Sequence, residues 1–399
     1  MATDQTPTRF VSELAPAILR GLRGKGTLAQ LREEVTAMQA YSPVVSASGF
    51  TPPPTPVERE LPFQFTGSAK EYFRIWIVNV LLTIVTLGVY SAWAKVRTKQ
   101  YLYRHTWVDG TSFQYLADPL KVLKGRIIAA VVLGTLFAAQ RYSLTLYVIV
   151  LVLVVLASPW VLVKSLAFNA RNSAFRNIRF AFTGRAAEAV GLYWGMALFN
   201  VITCGLAYPY AQWRFTSFAV WRHLYGDQRL GWSTKAGDYY RAYLKFVLIT
   251  LPAYAGLIGW GISNAHGMRA GHHPPSMANP AMLLILGVFY VYLLIPAAFL
   301  RAGLANLFYG GLQVGEHYFV SNQRGTELLK LYVVNALAMI FSLGLLIPWA
   351  KIRIAKYRAS RLTLHAQGPL VAEKLLDDEA TAIGEGLSDL GDFDLGIGV

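Results

Sequence analysis

The feature that most constrains this 399-residue chain is a register that recurs around three glycines, Gly88, Gly205 and Gly344. Seventeen residues before each stands a glutamate: Glu71, Glu188 and Glu327. Twelve before stands an aromatic residue (Trp76, Tyr193, Tyr332), and five after another (Trp93, Tyr210, Trp349), followed by Ala94, Ala211 and Ala350. Nine after comes an arginine (Arg97, Arg214, Arg353), and thirteen after an aromatic again (Tyr101, Phe218, Tyr357). Fixed offsets repeated three times imply one structural unit used more than once. Each copy reads as a short strand, a turn, a long apolar helix broken at the glycine, and a basic helix start.

Composition decides the solvent of that unit. Hydrophobic residues make up 54% of the chain and charged residues only 15%, whereas soluble domains carry about 25% charge. Runs such as Leu144 to Val163 and Ala281 to Leu300 carry no charge and are long enough to span a bilayer core. An integral membrane protein is expected. Glu13, Pro16 and Arg20 interrupt any leader-like apolar run near the start. The lone cysteine, Cys204, excludes an internal disulfide and a Cys-rich metal or redox motif.

Three regions follow from charge and punctuation. Residues 1–60 balance six basic against six acidic residues and end in a Pro-rich linker after two short helical stretches, Phe10 to Leu22 and Leu28 to Met38. Residues 61–370, with thirty basic and eight acidic residues, are the membrane body, divided into units 61–177, 178–316 and 317–370. Residues 371–399 form an acidic tail expected to be solvated and disordered.

Within the body, apolar pairs at Ile127–Ala139 with Leu144–Val163, and at Tyr243–Ile262 with Ala281–Leu300, read as helical hairpins. The expected fold is an all-α polytopic membrane protein. It has about seven embedded helices in two and one-third repeats, with short β segments flanking each repeat helix. Trp107 to Tyr115 is such a segment, a strand–turn–strand with Asp109-Gly110 as its turn. The repeat helix could cross fully, since Trp76 and Trp93 are spaced by roughly 25 Å of helix. Full crossings, however, would put basic stretches on opposite sides, against the positive-inside rule. A repeat helix that enters, turns at its glycine and returns is therefore favoured, with both termini cytoplasmic.

Phe65-Thr66-Gly67, the run TLGVYSAWAKVR at Thr86 to Arg97, and LGLLIPWAKIR at Leu343 to Arg353 resemble the YjgN family of bacterial inner-membrane proteins. The resemblance covers roughly residues 61–370. It implies a multi-pass protein of the bacterial inner membrane and names no chemistry. The second copy departs from the pattern, with Gln212 in place of Lys95 and Lys351, and Met196 in place of Asn79 and Asn335.

The candidate residues follow from the register. Glu71, Glu188 and Glu327 each begin an apolar helix, where the helix dipole favours a carboxylate, and Ser68 with Glu71 spells a capping box. The competing reading has the three carboxylates converge on a pore mouth. Arg97, Arg214 and Arg353, with Lys95 and Lys351, suit snorkelling beside interfacial aromatics or binding of anionic lipid headgroups or an anionic solute. Asn79 and Asn335 are polar residues inside the spans. Gly88, Gly205 and Gly344, with Pro209 and Pro348, are expected helix breaks. His266, His272 and His273 share a loop but lack a fixed further ligand, so no metal or other cofactor is expected. No catalytic constellation stands out, so an enzyme is not expected. Basic residues flank apolar helices instead of forming a nucleic-acid surface. The reading from sequence is a transporter- or channel-like protein with its site at the broken repeat helices. The alternative is a scaffold or regulator that binds anionic lipids or a membrane protein partner through its basic cytoplasmic face.

Overall fold

The computed structural model of the chain describes residues 58–269, 280–368 and 370. The two helical stretches expected near the N-terminus, the Pro-rich linker, His272, His273 and the acidic tail expected to be disordered lie outside the described residues.

The all-α expectation is overturned by the sheet. Eleven short strands pair antiparallel in a nearly closed ring: β1 (Glu58–Pro62), β2 (Gln64–Phe65), β3 (Thr106–Val108), β4 (Thr111–Tyr115), β5 (Ser173–Phe175), β6 (Ile178–Phe182), β7 (His223–Tyr225), β8 (Gln228–Trp232), β9 (Leu312–Val314), β10 (His317–Ser321) and β11 (Leu362–Gln367). Their order is β1-β11-β10-β9-β8-β7-β6-β5-β4-β3-β2. β1 and β2 are one extended run broken only at Phe63. Its first half pairs with β11, Glu58 opposite Gln367, and its second half with β3, Gln64 opposite Trp107. The Phe63 amide donates to Leu362 O (3.0 Å) and carries the ladder across the break. Ring closure leaves few free strand edges, the usual liability of a sheet.

Two-residue turns join the strands at one rim. Asp109-Gly110 (φ +48° and +69°) and Arg176-Asn177 (φ +49° and +62°) place both residues at positive φ, the requirement of the type I′ hairpin. Gly226 (φ +57°) and Gly315 (φ +59°) lead the other two turns. The expected strand–turn–strand at residues 107–115 is thus one of four such hairpins.

At the opposite rim the strands continue into five helical pairs. Three are short: α1 (Ala69–Val85) with α2 (Ser91–Arg104), α5 (Ala186–Ile202) with α6 (Tyr208–Trp221), and α9 (Gly325–Phe341) with α10 (Ile347–Ser360). Two are long: α3 (Pro119–Tyr142) with α4 (Leu144–Asn172), and α7 (Ala236–Arg269) with α8 (Pro280–Gly311). The seven-helix count is corrected accordingly. Among the described residues four helices, the two long pairs, are long and apolar enough to cross a membrane. Each repeat run counted as one helix is two, of 17 and 14 residues. The hairpin α3/α4 turns at Ser143 alone, one residue past the expected Gln140-Arg141-Tyr142, and the Ser143 side chain accepts from Leu146 N (3.4 Å) to cap α4. Neighbouring pairs pack in sequence order, and α10 packs on α1 to complete the circle.

Hydrogen bonding explains the short pairs. Before each break the chain makes two left-handed residues in succession: Leu87-Gly88, Cys204-Gly205 and Leu343-Gly344, the glycines at φ +92°, +88° and +88°. The glycine amide reaches back five residues, Gly88 N to Thr83 O, Gly205 N to Asn200 O and Gly344 N to Met339 O, each 2.8 Å. This is the Schellman closure of a helix C-terminus. A hydroxyl two residues before the glycine then accepts the amide that starts the return: Thr86 from Tyr90 N (2.9 Å), Thr203 from Ala207 N (3.0 Å), Ser342 from Leu346 N (3.0 Å). With these polar groups bonded internally, the tip can enter an apolar medium. Its side chains suit that medium, since Leu87 and Leu343 are 95% and 94% exposed. Pro209 and Pro348 sit in the first turn of the returning helix and so break no helix interior.

The ring interior is apolar. Phe63, Phe175, Tyr225, Leu230, Leu312 and Leu364 are buried together, each such side chain contributing about 1.5–3 kcal/mol through burial. His223 of β7 is also buried, its Nδ1–H bonded to Ala219 O (2.6 Å), and burial pushes its imidazole below the ordinary pKa although that bond pulls the other way. Glu58 fastens the seam by accepting from Tyr318 and from His365 (2.8 Å), which holds its carboxyl below the usual range.

Two outcomes test this architecture. No heavy atom lies within 4 Å of a Cβ built on Gly88 or Gly205, and only Ile347 Cδ1 (3.5 Å) approaches one on Gly344. The glycines therefore serve backbone conformation and not close packing. Gly344→Ala should lower stability by about 1–2 kcal/mol, and Gly344→Asn by less, in thermal unfolding of the purified protein; an unchanged Ala variant would refute the left-handed turn. Second, in a Cys204→Ser background, single cysteines at Ser68 and Ser112 should be equally protected from an impermeant thiol reagent in intact cells and equally labelled after lysis. Labelling of one site alone in intact cells would break the ring, because β2 and β4 both pair with β3.

Candidate functional site

The register residues divide into those that build the base of each short hairpin and those that face outward. Glu188 bonds Arg222 (2.8 Å) and Glu327 bonds Arg361 (2.6 Å). These partners lie as far after the glycine as the glutamates lie before it, so the pair ties the two feet of one hairpin together. In the first copy that later position is His105, and Glu71 Oε2 instead lies 3.2 Å from the Tyr101 hydroxyl, sharing its one hydrogen with Ser68 O. Each glutamate finds its partner within its own hairpin. The capping box expected at Ser68 is not formed, because the Ser68 side chain caps nothing.

The aromatic thirteen residues past the glycine is a second tie. Tyr101 OH accepts from Ser68 N (2.9 Å) and donates to Ser68 O (3.0 Å). Tyr357 OH does the same with Arg324 N (2.8 Å) and Arg324 O (3.1 Å). Burial pushes both phenols above their ordinary pKa, although the backbone amide donating to each pulls the other way. Phe218 cannot make this bond, and it packs on Phe182 instead. The Phe-Thr-Gly motif belongs to the same joint. A Cβ on Gly67 would lie 2.5 Å from the Phe65 ring, and one on Gly184 2.5 Å from the Phe182 ring. Tyr357→Phe should cost about 1 kcal/mol, the net worth of a hydrogen bond, in thermal unfolding; the reciprocal change is Phe218→Tyr.

The three arginines differ in commitment. Arg353 donates to Asn335 Oδ1 (3.0 Å) and stacks on Trp349 (4.4 Å), while Asn335 Nδ2 reaches Ala350 O (3.4 Å). Arg214 lies over Trp213. Arg97 lies over Tyr90 (5.6 Å) and is exposed. Its register partner Asn79 is 4% exposed, with both amide atoms unpartnered among the described residues. The Arg–Asn bond of the third copy is therefore open in the first. Lys351 is exposed and Lys95 half-buried.

Arg97 opens instead onto a groove of about 490 Å³ between α1 and α2, with Arg74, Arg104, Gln100 and His105. Among the described residues none of the three arginines has a carboxylate partner. Ile75 and Val78 line the side nearer the tip. The sequence reading singled out Arg97 but missed Arg74 and Arg104. The signal was available, because the second copy has Gly191 and Trp221 at those offsets and the third Lys330 and Ser360. Among the described residues no group of His, Cys, Asp and Glu could hold a metal.

A family model described as "Bacterial protein of unknown function (DUF898)" matches residues 60–390. The chain belongs to this family. The protein named "Inner membrane protein YjgN" from Salmonella typhimurium is 24% identical over 365 residues, covering 79% of this chain and 90% of that protein. Its namesake from Escherichia coli O157:H7 is 32% identical over 139 residues, 33% of each chain, and that of strain K12 51% over 53 residues, 13% of each. No solved structure matches. The DUF898 membership, the relatives' names and the four long apolar helices agree on a membrane protein of unknown function.

Proposed function

We propose that this DUF898 protein is a membrane scaffold or regulator that engages anionic lipid headgroups through its first short hairpin. The observation that carries the reading is the groove of Arg74, Arg97 and Arg104. Three guanidinium groups without a carboxylate among the described residues line one groove in the half of the hairpin nearer its feet. Guanidinium suits phosphate because its fork of donors matches two oxygens at once. The long helices add support, since only 6–22% of each apolar window is buried inside the protein. Surfaces so little used for helix–helix packing are available to lipid.

Each arginine near an anionic surface contributes about 1 kcal/mol, so the three together give roughly a hundredfold preference for anionic over zwitterionic lipid. In nanodiscs of phosphatidylcholine, added phosphatidylglycerol should raise the melting temperature of the protein. The variant Arg74→Gln/Arg97→Gln/Arg104→Gln should lose most of that rise while melting normally in phosphatidylcholine alone. A rise that survives the triple substitution would refute the assignment to this groove.

The transporter reading retains one supporting observation, the buried and unpartnered Asn79 amide, in a hairpin that also bears a glycine break. If solute passes there, Asn79→Leu should abolish flux in proteoliposomes and leave the lipid-dependent melting intact.

A further inference from the structure

The chain carries an anion of its own that suits the basic groove. Residues 371–399, outside the described residues, hold eight acids and one lysine, as many acids as all of residues 61–370. Their last stretch interleaves Asp389, Asp392 and Asp394 with Leu390, Phe393 and Leu395. The groove has the matching makeup, three guanidinium groups beside Ile75 and Val78. Number agrees as well. The chain has one such tail, and of the three short hairpins only the first has arginine at all three offsets.

Topology brings the two within reach. β11, the last strand, lies beside β1, which runs on through β2 into α1, one wall of the groove. Arg59 donates to Gly368 O (3.3 Å) and Arg176 to Leu370 O (3.2 Å), so the chain leaves the ring at its turn rim. Strands of at most six residues make the ring no taller than about 20 Å. The nineteen residues from Leu370 to Asp389 extend to about 60 Å, more than enough to reach the feet of the first hairpin. Tethering holds such an end at an effective concentration of roughly millimolar order, so even weak pairing fills the groove.

We propose that residues 387–399 dock in the groove of Arg74, Arg97 and Arg104, in the place of an anionic headgroup. The carboxylates pair with the guanidinium groups, and the interleaved apolar side chains cover Ile75 and Val78. The proposal rests on the reading of this groove as an anion site and names what holds it when lipid does not.

Disulfide trapping in the full-length protein in phosphatidylcholine nanodiscs tests this. In a Cys204→Ser background, Ser388→Cys is combined either with Ile75→Cys in the groove or with Leu331→Cys, its register equivalent in the third hairpin and likewise half-buried. Under mild oxidant the 75–388 disulfide should form about tenfold or more faster than the 331–388 disulfide. The excess should vanish on adding Asp389→Asn/Asp392→Asn/Asp394→Asn or Arg74→Gln/Arg97→Gln/Arg104→Gln. It should vanish too at about 1 M salt, where exposed charges are screened within about 3 Å. Phosphatidylglycerol should slow the trapping, and the Asp→Asn variant should reach half of its lipid-dependent rise in melting temperature at a severalfold lower fraction of that lipid. The comparison of the two positions keeps every native arginine and acid, so it stands whether or not either triple variant folds. Equal trapping at the two positions, or an excess that survives either triple substitution, would overturn the proposal. So would trapping unmoved by phosphatidylglycerol in a protein whose melting responds to it, since tail and lipid would then hold different sites. Melting indifferent to phosphatidylglycerol in the wild type and the Asp→Asn variant alike would sink the lipid reading alone, and charge-dependent trapping would still support the docked tail.

Discussion

Backbone hydrogen bonding at the edges of the sheet is the constraint on which the rest depends. Strands of two to six residues cannot stand alone, because so short a ladder does not offset the entropy of ordering it. Only a nearly complete ring, in which each strand has partners, makes them stable. Pairing β2 with β3, β6 with β7 and β10 with β11 then requires both feet of each short hairpin to stand at one level. The Glu188–Arg222 and Glu327–Arg361 pairs and the Tyr101 and Tyr357 clasps sit at those feet. They are understood as fasteners of the joint between ring and hairpin.

What the sequence made legible follows from signal length. The glycine-centred register spans more than thirty residues per copy and survived three repetitions, so the unit was readable. So were the long hairpins, whose apolar runs exceed any strand. The ring was not. Asp109-Gly110 is a familiar turn pair, but Arg176-Asn177 adopts the same positive-φ conformation with no glycine, and strands of three residues are too short to show alternation. The break in each repeat helix was visible as a glycine, yet its partner in the turn is Leu87, Cys204 or Leu343. Such residue types advertise a continuing apolar helix, which is why two helices were counted as one.

At the candidate sites the repeats were both guide and trap. Equal spacing suggested three equivalent arginines, whereas the side chains around them diverge. Arg353 is spent on Asn335, and Arg97 is not spent on Asn79. Arg74 and Arg104 escaped notice because no arginine stands at their offsets in the other two copies. Departure from the register, more than adherence to it, marks where charge exceeds what packing needs.

The seam at Phe63 also sets an order of events. Glu58 and its partner Gln367 lie at opposite ends of the described body, so β1 emerges from the ribosome with no strand to pair with. All five helical pairs must be made before β11 exists to cover it. Contacts of such sequence separation form late and slowly, and until then an open strand edge stands exposed to other chains. A nascent chain arrested anywhere short of Leu362 would therefore be an unclosed arc. Completion of the last six-residue strand is the step that turns a string of hairpins into a closed ring.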